Sequence, residues 1–270
     1  MSTVFFADVL GFSALSRVAN ATRAIDALSD LASIFSTQSS IARYLQASAW
    51  RRRYALSDSL FLVADGPVEA CGAAAEVFFN LAFYNSKADV PVLLRGAITM
   101  GDVREIGALF PETASANLVG EAVVRAVRLE RCGAKGPRLL VSDEVVGALP
   151  AEFTAWMLDR TAEGPAELLW LLAPDPKGTE PLMVGDVCRA ATRLLLTQSQ
   201  DAEAAPHLVA YLDLLARALK RLRQRDVNAA ETALAMVDFD AVRPILQSLL
   251  ISRRIPEFLA LERINALTGG

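Results

Sequence analysis

The stretch YALSDSLFLVA, residues 54–64, sets two apolar runs either side of a short polar insert built around Asp58. Ser and Asp are ordinary turn residues, so the stretch reads as a β-hairpin, with arms over 50–56 and 59–64. A second strand-like run, VFFADVLGF at 4–12, also carries one isolated carboxylate, Asp8, shortly before Gly11. If that first strand pairs with the hairpin, both carboxylates come to one edge of a sheet. Either acid alone is equally at home as a turn or strand-end residue. Two of them in the same setting constrain the chain far more.

The remaining elements follow from periodicity. Apolar residues from Ser13 to about Ala49 recur at helical spacing, giving one broken or two consecutive helices. Pro67 is placed to begin a helix whose stripe includes Ala70, Ala74, Val77, Phe78 and Leu81. VPVLLRGAITMGDV (90–103) reads as a strand with a return through Arg104–Phe110, and a helix is expected from about Val119 to Arg131. PRLLVSD (137–143) and ELLWLLA (167–173) complete the strands. Mixed strands and helices with hairpins predict an α+β fold, a sheet with flanking helices, rather than a regularly alternating parallel sheet. After PDPKG (174–178) only helical periods occur, so a boundary is placed near residue 176. Residues 176–270 then form an all-helical C-terminal region, for dimerisation or regulation.

Composition narrows the chemistry. Apolar residues make up 53% of the 270 and mean hydropathy is +0.32, yet no apolar run reaches the ~18–20 residues that span a bilayer. The expectation is a large core plus a buried subunit interface, with no membrane association. The N-terminus lacks the pattern of a signal peptide. Cys71, Cys132 and Cys188 are odd in number and without metal-ligand spacing, which fits a reducing cytoplasm. A net charge of −4 argues against a nucleic-acid binder, although RRR at 51–53 is a local basic spot. With His207 as the one histidine, carboxylates and arginines must carry any reaction. His207 itself sits in an apolar helical setting and reads as structural, and Trp50, Trp156 and Trp170 read as core.

Two carboxylates a few ångströms apart repel unless a cation lies between them, and the natural occupant is Mg²⁺ or Mn²⁺. Two-metal sites activate an attacking oxygen and stabilise a leaving one, most often in phosphoryl transfer. Gly11, Phe12 and Ser13 follow Asp8 at an expected helix start, where free backbone N–H groups can hold phosphates.

FADVLGF, YALSDSLFLV, RGAITMGDV and GEAVVRAVRLE, in that order, resemble the catalytic domain of class III nucleotide cyclases over about residues 1–175. The resemblance implies a class III cyclase-like sheet with flanking helices and a homodimer with active sites at the interface. One chain would supply metal ligands at Asp8, Val9 and Asp58, with two divalent ions per site. The other would supply base-reading residues and, at Arg128, the cation that stabilises the transition state. The implied reaction joins the ribose 3′-hydroxyl to the α-phosphate and releases pyrophosphate.

Departures from the family pattern refine this. Adenylate cyclases have lysine four residues before the second aspartate, where this chain has Tyr54. They have aspartate three residues before the helix-opening glycine, where it has Asn117 before Gly120. The glutamate of guanylate cyclases does not match Tyr54 either. A bulky aromatic and an amide suit a single-ring base, and the combination resembles the pyrimidine cyclases of bacterial Pycsar antiphage systems. UTP is favoured over CTP as substrate, with the cyclic product acting on a separate effector protein. Val124 replaces the asparagine that usually orients the ribose, which favours a rival reading: a catalytically silent nucleotide-binding signalling module. Arg95, Arg125 and the 51–53 cluster are candidates to hold a triphosphate, or simply solvate strand ends.

Overall fold

A computed structural model describes residues 1–10, 29, 52–56, 58–85, 92–107, 117–133, 135–160, 164–172, 181–198 and 204–251. The helices expected over 13–49 and the proposed phosphate-holding residues Gly11, Phe12 and Ser13 lie outside the described residues.

In chain order the elements are β1 (Ser2–Leu10), β2 (Arg52–Leu56), β3 (Ser59–Ala64), α1 (Pro67–Asn85), β4 (Leu93–Gly101), β5 (Arg104–Ile106) and β6 (Asn117–Val119). There follow α2 (Glu121–Glu130), β7 (Leu139–Val141), α3 (Asp143–Ala148), α4 (Ala151–Met157), β8 (Leu158–Arg160) and β9 (Ala166–Leu168). The C-terminal part holds α5 (Pro181–Gln198), α6 (Ala205–Arg225), α7 (Val227–Leu234) and α8 (Phe239–Ile251). The main sheet runs β2-β3-β1-β4-β7-β9-β8, with β4 and β7 parallel and the other neighbours antiparallel. A separate ribbon pairs β5 with β6. This is the expected α+β architecture.

The period of two in β1 sorts its side chains between two layers. Phe5, Ala7 and Val9 join the large core under α1, while Val4 and Phe6 meet Ala122 and Ala126 of α2 on the opposite face. Asp8 falls in register with that second set. Every described side chain of α1 from Ala70 to Ala82 is buried. A helix buried on all sides needs cover on all sides, and α1 has the sheet beneath it and α5 against it.

The C-terminal helices are built into the same core. Phe78, Trp170 and Tyr211 stack in sequence with ring centroids 5.8 and 5.9 Å apart, linking α1 to α6. Trp170 is fully buried, as expected of a core tryptophan, and its Nε1–H donates to the Pro137 carbonyl at 2.8 Å. Trp156 is half-buried instead, with the Arg225 guanidinium 4.6 Å over its ring. The expected division near residue 176 falls within 173–180, outside the described residues.

Three sequence expectations needed correction. The 167–173 run is strand only over Ala166–Leu168, and then tightens into a 3₁₀ turn in which Leu172 N–H bonds the Leu169 carbonyl. The return after β4 ends at Ile106 and pairs with β6, not with the main sheet. Between β7 and β9 the chain forms α3, α4 and β8, none of which is long enough to show a period.

A buried charge network fastens α6 to the sheet edge. Asp159 and Glu167 stand directly opposite on β8 and β9, where like charges repel. Arg217 of α6 resolves this, bonding Asp159 at 2.8 Å, Glu167 at 2.6 Å and Asp213 at 3.0 Å. Burial works to lower its pKa, but Glu167, Asp213 and Asp159 outweigh burial and hold the guanidinium above its ordinary value. Arg138 adds a bidentate pair to Glu167 at 2.7 and 2.5 Å.

His207 is structural, as the sequence indicated. Its Nδ1 accepts the Gly136 N–H at 3.0 Å, tying α6 to the loop after α2. Burial, then Lys135 and Arg95, push its pKa below 6.5. The unfolded chain therefore takes up a proton near pH 6.5 that the folded chain refuses, and stability present above that pH is lost as pH falls toward the folded value. Melting temperature should decline as pH falls through about 6.5. Because His207 is the sole histidine, His207→Gln should flatten that slope; an unchanged slope contradicts the assignment.

Candidate active site

The β1–β3 pairing brings the two isolated acids together. Asp8 lies opposite Ser59, whose Oγ–H donates to Asp8 Oδ1 at 2.7 Å. The next residue, Val9, donates its N–H to the Asp58 carbonyl at 3.1 Å, so Asp58 sits beside Asp8 at one end of β1 and β3. Asp58 occupies the hairpin turn, so the turn reading and the partner reading both hold. Two details differ from expectation. β1 continues past Asp8 to Leu10, and it lies inside the sheet between β3 and β4, so the acids meet at strand ends and not at a lateral edge.

Val9 turns its side chain into the core, leaving only its backbone carbonyl as a possible ligand to a cation. Among the described residues no group of three or more His, Cys, Asp or Glu could hold a metal. Mg²⁺ is commonly held by one or two carboxylates with water and substrate phosphates completing the shell. Two aspartates and a carbonyl, all hard oxygen donors, fit such an ion.

Asp8 also faces Arg95 across β4, and that arginine is already engaged. Its Nε–H donates to Glu130 Oε1 at the end of α2. Glu130 is 1% exposed. Burial raises its pKa first, Arg95 opposes this, and the nearby Asp8 charge raises it further. Sequence reading missed this carboxylate. The signal was present: positions 122, 126 and 130 share the buried stripe of α2, and the third is a glutamate.

Tyr54 of β2 points to the same face of the sheet as Phe61, against the small cluster under α2. Its hydroxyl bonds Glu105 of β5, which also pairs with Arg52 at 2.9 Å. Burial, then Glu105, raise the phenol pKa. Glu105 is adjacent to Ile106, the register partner of Asn117. The β5–β6 ribbon thus gathers Tyr54 and the half-buried Asn117 into one neighbourhood, with Glu105 as a member that the sequence did not flag.

Arg128 stands on the exposed side of α2. The helix α2 buries Ala122, Ala126 and Glu130 and exposes Val124 (49%) and Arg128 one turn later. Among the described residues no carboxylate pairs with Arg128. Its helix is set by Gly120, at φ +142°, where a Cβ would lie 2.2 Å from the Asp102 carbonyl oxygen. Arg125 is occupied by Glu121 at 2.5 Å and Glu144 at 2.7 Å.

No protein-family model matches the sequence, and no curated protein matches it. Solved structures do match. A bacterial light-regulated adenylyl cyclase aligns with TM-score 0.48 and 17% identity, over 62% of this chain and 50% of its own. The adenylyl cyclase CyaB from P. aeruginosa aligns with TM-score 0.44 and 19% identity, over 62% and 90%. The guanylyl cyclase Cya2 aligns with TM-score 0.45 and 15% identity, over 62% and 89%. The chain thus spans half the length of the light-regulated protein. Values this low leave the functional reading to the residues themselves. Among the described residues no helix is long and apolar enough to cross a membrane.

Proposed function

We propose that this chain is a nucleotide cyclase that converts UTP to 3′,5′-cyclic UMP and pyrophosphate. The observation that carries the reading is the meeting of Asp8 and Asp58 at one strand end, with Ser59 bonded to Asp8 and Val9 bonded to Asp58. Two neighbouring carboxylates repel unless a cation lies between them.

Asp8, Asp58 and the Val9 carbonyl would hold the divalent ions, Mn²⁺ or Mg²⁺. Bound there, such ions supply Lewis-acid chemistry, acidifying the ribose 3′-hydroxyl and neutralising charge on the phosphates. Arg128 contributes positive charge to the α-phosphate as the pentavalent centre forms. Tyr54 narrows the base pocket, and the Asn117 amide offers both a donor and an acceptor to a pyrimidine edge. CTP is the nearest competitor, because uracil and cytosine differ at O4 versus N4–H₂ and an amide can serve either. UTP is preferred because neither Tyr54 nor Asn117 is a carboxylate that would accept from N4–H₂. Tyr54 and Asn117 in place of purine-reading residues also support a role in antiphage signalling, with cyclic UMP as messenger to a separate effector. Exposed Val124 supports one rival, a silent module that binds nucleotide without turning it over.

Arg128 on the solvent side of α2 supports a site completed by a second copy of the chain, with the acids of one copy facing the α2 of the other. Mixing inactive Asp58→Ala chains with inactive Arg128→Ala chains should then restore part of the activity. One of the two composite sites in each mixed dimer stays whole. No recovery, despite demonstrated subunit exchange, would place the whole site within one chain.

A further inference from the structure

We propose that Glu130 is a positioning residue that holds the Arg95 guanidinium off Asp8 and so keeps the Asp8 carboxylate open to a divalent cation. This rests on the reading of Asp8 as a metal ligand.

Asp8 and Arg95 are register partners on adjacent antiparallel strands, so they share a face with Cβ atoms about 4.5–5.5 Å apart. An opposite-charge pair in that position ordinarily closes on itself. Here it does not: among the described residues no ion pair joins them. Arg95 donates its Nε–H to Glu130, thirty-five residues away in sequence, and Asp8 accepts from Ser59.

Burial decides the competition. Glu130 is 1% exposed and the Arg95 side chain 19%, so their attraction acts in a poorly screened setting. Asp8 is more open to solvent, and water weakens its hold on the same guanidinium. Glu130 also occupies a position where an apolar residue would continue the stripe of Ala122 and Ala126. Burying a carboxylate there is costly unless it is paired, and Arg95 is the partner that makes it tolerable. The Asp8 charge reaches Glu130, which places both carboxylates around one arginine. Remove Glu130 and the acid opposite the guanidinium in register is Asp8, the one the cation needs.

The test is Mn²⁺ binding without turnover, read by electron paramagnetic resonance of free Mn²⁺, with and without a 3′-deoxynucleoside triphosphate that cannot cyclise. Glu130→Met should weaken Mn²⁺ binding at least tenfold, and its crystal structure should show Arg95 against Asp8. Glu130→Gln retains one acceptor oxygen and should lose less. Arg95→Met/Glu130→Met should bind Mn²⁺ within about twofold of the unmodified protein, because the competing cation has gone. That rescue separates release of Arg95 from simple loss of a negative charge, which the double variant would not repair. Should Glu130→Met fail to fold, Glu130→Gln and the double variant carry the comparison. Asp8→Asn serves as the reference. If it binds Mn²⁺ undiminished, the metal reading falls and this inference with it. If Asp8→Asn loses Mn²⁺ while Glu130→Met does not, or the double variant stays weak, this inference alone is overturned.

Discussion

Asp8→Ala or Asp58→Ala should abolish nucleotide turnover, by roughly 10³-fold or more, while leaving the fold intact. A loss of that size corresponds to about 4 kcal/mol of transition-state stabilisation, a reasonable share for one ligand of a charge-neutralising pair. The fold should survive because neither carboxylate supports the core. Asp58 lies in a hairpin turn, and Asp8 bonds only the half-buried Ser59 hydroxyl among the described residues. Removing one of two neighbouring negative charges relieves repulsion, so the melting temperature should hold or rise. Near-normal turnover with Mn²⁺ in either variant would contradict the assignment.

The second large effect is structural. Arg217→Met should destabilise the chain by about 3–5 kcal/mol, the usual cost of taking one partner from a buried ion cluster. Three carboxylates lose their shared cation at once, and Asp159 is left directly opposite Glu167. Arg138 still serves Glu167 and Arg221 lies 3.8 Å from Asp159, so part of the charge stays compensated. Arg217→Lys keeps the charge without the planar fork that reaches three acids, and should fall between. Denaturant unfolding measures both, and a loss under about 1 kcal/mol for Arg217→Met would show that solvent screens the cluster. The prediction matters for function because α6 also carries His207, whose contact with Gly136 steadies the loop following α2.

Much of the fold was legible because its patterns are local. The apolar run in 4–9, the turn chemistry around Asp58 and the Pro67 helix start each report on neighbours a few residues away, and each element formed where expected. The meeting of Asp8 and Asp58 followed from one topological assumption, that β1 pairs with the hairpin. The strands β6, β8 and β9 have three residues each, too few for a period of two to stand out. The ion pairs were hidden for a different reason. Arg95 finds Glu130, and Arg217 finds Asp159 and Glu167, only after strand order and helix docking fix which charges share a layer. In the sequence these charges carry no mark that separates them from surface residues. Glu105 stayed unseen in the same way, since the β5–β6 ribbon alone sets it beside Tyr54 and Arg52.

The claim that matters most is that the chain cyclises a pyrimidine nucleotide, and one incubation tests it. The unmodified protein is given ATP, GTP, CTP or UTP with Mn²⁺, and the products are identified by mass. UTP should yield 3′,5′-cyclic UMP at least tenfold faster than either purine is turned over. Such a ratio needs only ~1.4 kcal/mol of differential transition-state binding, within reach of one hydrogen bond and a steric clash. Tyr54→Ala should slow UTP and relax the discrimination against purines. Preferential formation of cyclic AMP by the unmodified protein would contradict the pyrimidine reading, and absence of any cyclic product from all four nucleotides would favour the silent module.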